Sequence, residues 1–292
     1  MKENRVCHLF GIRYPIVQGG MLGISCPELA AAVSNAGGLG MLSGAKPVNE
    51  LRAEIRLTKE LTKQPFGVNL PIHDVKERAL EIAAVIANEK VKVVATSAGS
   101  PKVCTKLLKE AGVVVMHVVS EVAHAVAAEV AGVDVVVASG VEAGGFVGHD
   151  EITTFVLVPQ VVDAVKVPVV AAGGIGDARG FVAALALGAQ GIQMGTRFIA
   201  TKDCPVTDDY KQAIVTAKDN STEIVGRGMS PARCFWTESP NTASLSPRMP
   251  YSVGQVAGLI RDIPTVAEMI DSMMKMSRLI GRQVMESLSQ IS

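Results

Sequence analysis

The chain has no net charge: 28 lysines and arginines face 28 aspartates and glutamates over 292 residues. That balance gives no electrostatic footprint for nucleic acid or an anionic membrane surface, and leaves a small molecule or a second copy of the chain as the expected partner. No run of 18 apolar residues occurs without a charged or strongly polar interruption, so a membrane-spanning helix is not expected. The five cysteines (Cys7, Cys26, Cys104, Cys204, Cys234) form no CxxC pair, which excludes the usual zinc and disulfide frameworks and fits a reducing cytosol. The opening MKENRVCHLFGIRYPIV lacks the apolar stretch of a secretory signal. The expected location is cytoplasmic. No internal repeat longer than a strand–helix unit is visible.

What the chain has is hydrophobic mass, 48% of residues, arranged in a rhythm. Short apolar runs rich in Val and Ile occupy 15–18, 38–42, 66–70, 91–96, 113–118, 134–138, 168–172 and 191–194. Continuous runs of this kind mark parallel strands buried on both faces. Between them lie segments of helical character at 27–36, 48–62, 75–89, 101–111, 121–131, 158–165 and 177–187. The first carries proline near its start and Gly37-Gly38 at its end. Eight strands in strict alternation with helices predict a single-domain (β/α)8 TIM barrel over about residues 14–220, with an open doubly wound sheet as the alternative. A helix is expected at 208–217, and the Pro-, Ser- and Asn-rich stretch of about 228–250 reads as irregular. C-terminal helices follow over about 251–290. The Met-rich 264–288 segment (Met269, Met273, Met274, Met276) has apolar spacing of three and four, which suits core packing or a homodimer contact.

Ligands of such barrels bind at the carboxyl ends of the strands, and phosphates bind near the seventh and eighth. Here the seventh run ends in Gly173-Gly174-Ile175-Gly176 before an Asp177 helix cap, and the eighth ends in Gln193-Met194-Gly195-Thr196-Arg197. Glycines there let backbone N–H groups approach a phosphate. One glycine pair is as readily a plain tight turn; two such loops at consecutive strand ends point to an anion. The order of glycines in 173–180 is wrong for a dinucleotide fingerprint, and the strand is not the first. Elsewhere on the rim stand Gln18-Gly19-Gly20-Met21, where backbone can lie against a flat ring, and Asn69, whose amide both donates and accepts. The small stretch 96–99 and the Ser139–His149 stretch complete it. No strand-end lysine or carboxylate pair supports an aldolase or sugar-phosphate isomerase.

These strings, PIVQGGM, AGGLGML, PFGVNL, GVEAGG, TTFVLVPQVVDAV, VPVVAAGGI and GAQGIQMGTRF, followed by VGQVAG at 253–258, together resemble the nitronate monooxygenase (2-nitropropane dioxygenase) family. That group includes the flavin-dependent enoyl-acyl-carrier-protein reductase II enzymes. The resemblance implies non-covalent FMN and flavin-mediated redox chemistry, with NADH or NADPH as a candidate electron donor. It puts Gly20 and Met21 on the flavin ring, Asn69 in a bond to it, and Ser139 and Gly144 along it. Gly173, Gly174, Gln193, Gly195 and Thr196 would surround the phosphate end, with Gln255 near the ring. Two departures stand out. The family histidine after AGG, proposed as acid or base, is replaced by Phe146, and His149 lies three residues on as a catalytic candidate, with an exposed loop histidine as the plain alternative. His8, His73, His117 and His124 are weaker: His73 follows a strand end, His117 reads as strand interior and His124 as helix. The 224–251 region lacks the charged helical insertion of the reductases and carries 233–237 (RCFWT) instead, where Trp236 either stacks on substrate or covers the mouth. The missing insertion leans the expectation narrowly to nitronate oxidation, ahead of enoyl-thioester or quinone reduction. A degenerate barrel that only binds flavin is the rival from another class.

Overall fold

The computed structural model describes residues 4–235 and 251–291. Its main sheet is built from β1 (Ile16–Gln18), β2 (Gly40–Ser43), β3 (Phe66–Pro71), β4 (Val93–Ser97), β5 (Val114–Val119), β6 (Val135–Ser139), β8 (Val169–Ala172) and β9 (Gly191–Met194). The two-residue β7 (Gly145–Phe146) leaves this sheet and pairs elsewhere. All eight strands run parallel in the order β1-β9-β8-β6-β5-β4-β3-β2. The ends then meet: Leu39 N–H donates to Ile16 O, Gln18 N–H donates to Leu39 O (both 2.9 Å), and Val17 bridges Leu39. The sheet is closed, which settles the choice against an open one.

Strand alternation divides the core in two. Val17, Leu39, Met41, Val93, Ala95, Met116, Val135, Val137, Val170 and Ala172 pack together inside the barrel. Their neighbours along the strands, including Ile16, Leu42, Val68, Val94, Val115, Val136, Ala171 and Ile192, pack in a second layer that takes in the surrounding helices. Side chains of successive strand residues point to opposite faces, so both layers follow from the period of two. The interior cluster also holds Val6, Phe10 and Ile12, from a helix at Arg5–Phe10 and its exit. That helix plugs the barrel floor. It is capped by Asn4 at one end and by Gly11, at φ 71°, at the other, and its six residues are too few to show a period in the sequence.

Most predicted helices appear within a residue or two of their expected ends. Three differ. The 75–89 segment breaks at Lys76 (φ 39°) into a turn at Lys76–Arg78 and a helix at Ala79–Asn88. The 101–111 segment divides likewise, into Pro101–Val103 and Thr105–Glu110. The 158–165 helix begins earlier, at Thr154, with Pro159 inside it, because the Glu142 carboxylate caps its first N–H at 2.8 and 3.0 Å. The stretch expected to be irregular from 228 contains a strand, β11 (Ala232–Cys234). It lies between β10 (Glu223–Val225) and β7 in a three-stranded antiparallel sheet. These strands are too short to show an alternating pattern. The C-terminal helix, Val266–Ser289, starts with a capping box between Thr265 and Glu268 and buries Val266, Met269, Ile270, Met273 and Ser277 against the Pro27–Asn35 and Ala178–Ala186 helices. Among the described residues, no helix is long and apolar enough to cross a membrane.

Candidate active site

Register carries side-chain direction up to the rim. Directly paired residues of parallel strands share a face. Asn69 pairs with inward-facing Ala95, and Ser43 pairs with Asn69. On the opposite wall, inward-facing Ala172 pairs with Ser139 on one side and Gln193 on the other. Asn69, Ser139 and Gln193 therefore all face the mouth. Ser97, two residues beyond Ala95, donates its hydroxyl to Asn69 Oδ1 at 3.3 Å. The top of the barrel is a ring of neutral donors and acceptors, above a floor of Val, Ala and Met.

The backbone of β1 closes over this ring. A Cβ on Gly20 would come within 2.2 Å of Asn69 Cβ, so only glycine lets the 19–21 turn lie against the amide. Met21 is fixed from below. Buried Gln18 donates to Met41 O (3.0 Å) and to Ser25 Oγ (3.2 Å), and Ser25 Oγ accepts the Met21 N–H at 2.9 Å. Met21 Sδ in turn lies 3.6 Å from where a Cβ of Gly195 would stand, so the rims of β1 and β9 touch.

The two glycine loops sit side by side because the strands that lead into them, β8 and β9, are hydrogen-bonded neighbours. Gly173 and Gly174 both adopt left-handed backbone, at φ 98° and 69°. Among the described residues, no acceptor takes the N–H of Gly173, Gly174, Gly195 or Thr196. All but buried Thr196 are partly exposed. Successive amides left open in this way form a concavity for an anion. The flanking helix Ala178–Ala186 does not add its own end to the cradle, since Asp177 Oδ1 takes the N–H groups of Arg179 and Gly180 at 2.9 and 3.2 Å.

The loop after β6 meets the C-terminal segment here. Gln255 N–H donates to Glu142 O, and Gly254 N–H donates to Thr196 Oγ1, both at 2.9 Å. Gly144, Thr196 and Gln255, separated widely in sequence, are thereby brought to one sector of the rim. Thr196 spends only a lone pair on Gly254, which leaves its hydroxyl proton to donate.

Histidines fare less evenly. Phe146 is 58% exposed and lies on β7, paired with Ala232. His149 is exposed in the turn that follows, next to Gly148, whose Cβ position lies 2.6 Å from Ser120 Cβ at the rim beyond β5. The next residue but one, Glu151, is tied to Arg227 of the β10–β11 hairpin at 2.6 Å, and that bond holds its carboxyl below the ordinary glutamate range. His73 and His124 are exposed. His117 is buried on β5 beside Thr96, whose hydroxyl lies 2.7 Å from Nδ1, and faces the helices rather than the mouth. Trp236 lies outside the described residues.

Other reactive groups are silenced. Burial pushes the thiols of Cys26 and Cys104 up to about 11 and raises those of Cys204 and Cys234. Two rim cations are already engaged: Lys46 with Glu54 and Glu50, and Arg197 with Asp262 at 2.8 Å. No group of three or more metal-binding side chains occurs among the described residues. Two residues beside the Gly173 turn, Glu142 and Thr154, were not singled out by the sequence; their only signals were the acidic residue inside GVEAGG and the second threonine of TTFVLVPQVVDAV.

The family profile of nitronate monooxygenase matches residues 3–245. A probable nitronate monooxygenase of Staphylococcus aureus is 32% identical over 322 aligned positions, covering 96% of this chain and 88% of the relative. A (3aS,4S,5R,7aS)-5-hydroxy-7a-methyl-1-oxo-octahydro-1H-indene-4-carboxyl-CoA dehydrogenase of Rhodococcus jostii is 39% identical over 250 positions, covering 85% of this chain and 69% of the relative. Among solved structures, FabK from Thermotoga maritima superposes with a TM-score of 0.92 at 39% identity, covering 98% of this chain and all of that one.

Proposed function

Since the chain belongs to the nitronate monooxygenase family and is an oxidoreductase of that family, we propose that it binds FMN and reduces the carbon–carbon double bond of an enoyl thioester with electrons from NADH or NADPH. The observation that carries the cofactor is the pair of adjoining glycine loops with open amides, Gly173-Gly174 and Gly195-Thr196, at the ends of neighbouring strands. These would hold the phosphate. Gly20, Met21, Asn69, Ser139, Gly144, Gln193 and Gln255 would line the flavin. Bound there, FMN would supply the transfer of two electrons, while the protein supplies position and surroundings. Neutral Asn69 and Ser97 orient polar edges; the Val and Ala floor beneath them keeps water out.

The thioester reading draws on the two relatives near 40% identity, the FabK enzyme, an enoyl-acyl-carrier-protein reductase II, and the carboxyl-CoA dehydrogenase. It also fits a rim whose cations Lys46 and Arg197 are paired internally, leaving neither to receive a small anion such as a nitronate. A second reading, nitronate oxidation with oxygen, is favoured by Phe146: a nitronate arrives already deprotonated and needs no base at that position. One experiment separates them. The flavin-loaded protein is assayed for NADH or NADPH oxidation dependent on crotonyl thioester, and for oxygen uptake with propyl-2-nitronate. Thioester-dependent turnover is expected. Oxygen uptake without it transfers the assignment to the second reading, and loaded protein inert in both assays leaves a quinone reductase or a binding-only barrel.

A further inference from the structure

We propose that Glu142 is a positioning residue for the phosphate end of the cofactor, holding the Gly173-Gly174 turn in its open shape through Thr154. The inference rests on the FMN reading above and adds to it a residue with no place in that set. Its warrant is an interlock between the connection that follows β6 and the turn that follows β8. The Glu142 carboxylate accepts the Thr154 N–H at 2.8 and 3.0 Å and the Thr154 hydroxyl at 2.9 Å. The same hydroxyl oxygen lies 3.1 Å from both Ala172 O and Gly173 O. A Cβ on Gly173 would stand 2.7 Å from that hydroxyl. On Gly140, a Cβ would stand 2.2 Å from it and 2.6 Å from Glu142 Oε2. Glu142 Cβ itself lies 3.5 Å from the Cβ position of Gly174. The turn is packed from beneath by the pair.

The local electrostatics say what this packing is for. Two helix N-termini flank the cradle, and each is already occupied by a carboxylate. Glu142 caps Thr154–Ala164, where Thr153 contributes no side-chain cap, and Asp177 caps Ala178–Ala186. A phosphate therefore cannot draw on either of these two capped ends and depends on the amides of the Gly173-Gly174 turn and of Gly195-Thr196, which open the short Thr196–Ile199 helix, and their direction is a matter of backbone shape. Glu142 sets that shape. A negative side chain is tolerated close to an anion site because its charge is spent on Thr154 and the helix end behind it.

The test compares FMN with riboflavin, which lacks only the phosphate, by fluorescence titration of full-length protein stripped of flavin. Wild type is expected to prefer FMN. Glu142→Ala and Thr154→Val should lose roughly tenfold in FMN affinity while riboflavin affinity changes by less than about twofold, as expected when one capping interaction goes. Glu142→Gln, which keeps an oxygen for the Thr154 N–H, and Thr154→Ser, which keeps the hydroxyl, should hold the wild-type ratio. General destabilisation would weaken both ligands alike and leave that ratio unmoved; an unchanged ratio in the Ala and Val variants, or its loss in the Gln variant, overturns the proposal. Should Glu142→Ala fail to fold, the Thr154 pair decides alone. Wild type without a preference for FMN would instead remove the cofactor reading itself.

Discussion

Gly144 and Gly254 pack backbone against backbone: a Cβ on Gly144 would fall 2.6 Å from Gly254 N, and one on Gly254 would fall 2.6 Å from Glu142 O. Neither residue has a left-handed φ, so contact, not conformation, demands glycine at both. The Gly254→Ala variant should push the C-terminal segment off the β6 loop at a cost of about 1–3 kcal/mol, the usual range for overpacking. Gly145→Ala, at φ 76° but with open space around it, should cost about 1 kcal/mol from backbone strain alone. Chemical denaturation of the two variants checks the ordering; a larger loss in Gly145→Ala would contradict it.

Thr196 joins this contact to the cradle. Its oxygen accepts from Gly254 and its proton is left to donate, in a side chain that is almost fully buried. Replacing it by valine keeps the volume but removes both functions. FMN binding should weaken by about 1.5–3 kcal/mol, or roughly ten- to 150-fold, as for a hydrogen bond to a charged group. Serine should restore most of it. Titration of the stripped protein measures both, and equal binding by the valine variant would take Thr196 out of the phosphate site.

His149 is the nearest imidazole in sequence to the position that Phe146 fills, and it stands in a turn anchored by Glu151 and Arg227. If it serves as the acid or base, His149→Ala should lower turnover about a hundredfold, a typical contribution from general acid–base catalysis, with flavin content unchanged. Wild-type turnover in the variant would dismiss it as a surface residue. The neighbouring Phe146→His substitution then tests the vacant role directly by asking whether turnover rises.

The barrel was legible because parallel strands buried on both faces spell continuous runs such as 91–96 and 134–138, and helices between them fix the topology. The rim was legible for a related reason: Asn69, Ser139 and Gln193 break those runs at strand ends, in register with the inward face. What escaped was non-local. Glu142 meets Thr154 twelve positions on, across a connection with no period to announce it, and its bonds to the Thr154 N–H moved a helix start from 158 to 154. The Arg5–Phe10 plug, and β7, β10 and β11, are too short for periodicity and are held by contacts made only after folding.

The C-terminal helix offers a contrast within one element. Ile270 is buried on its packed face, with Cδ1 3.6 Å from the Cβ position of Gly38, whereas Val284, farther along the helix, is 44% exposed. Ile270→Ala should cost about 2–5 kcal/mol and Val284→Ala within about 0.5 kcal/mol. Denaturation at two protein concentrations checks this. A large, concentration-dependent loss at Val284 would show that a second copy of the chain covers this part of the helix.

His117 should make the fold acid-sensitive in a defined window. Burial in the layer between barrel and helices, reinforced by the nearby His124, pulls its pKa down to about 4 from the ordinary 6.5, while a hydrogen bond to the Thr96 backbone pushes the other way. The unfolded chain therefore binds a proton that the folded chain refuses at every pH between those values. Stability from this group is complete above about pH 6.5, declines as pH falls, and is exhausted near pH 4, for a total on the order of 3 kcal/mol at one pKa unit per 1.36 kcal/mol. His117→Gln, which cannot titrate but still reaches Thr96, should flatten the decline between pH 6.5 and 4. Its stability at pH 8 need not match that of the wild type, since only the slope reports the proton. Thermal denaturation across that range measures the slope, and an equally steep curve in the variant would assign the acid sensitivity to other groups.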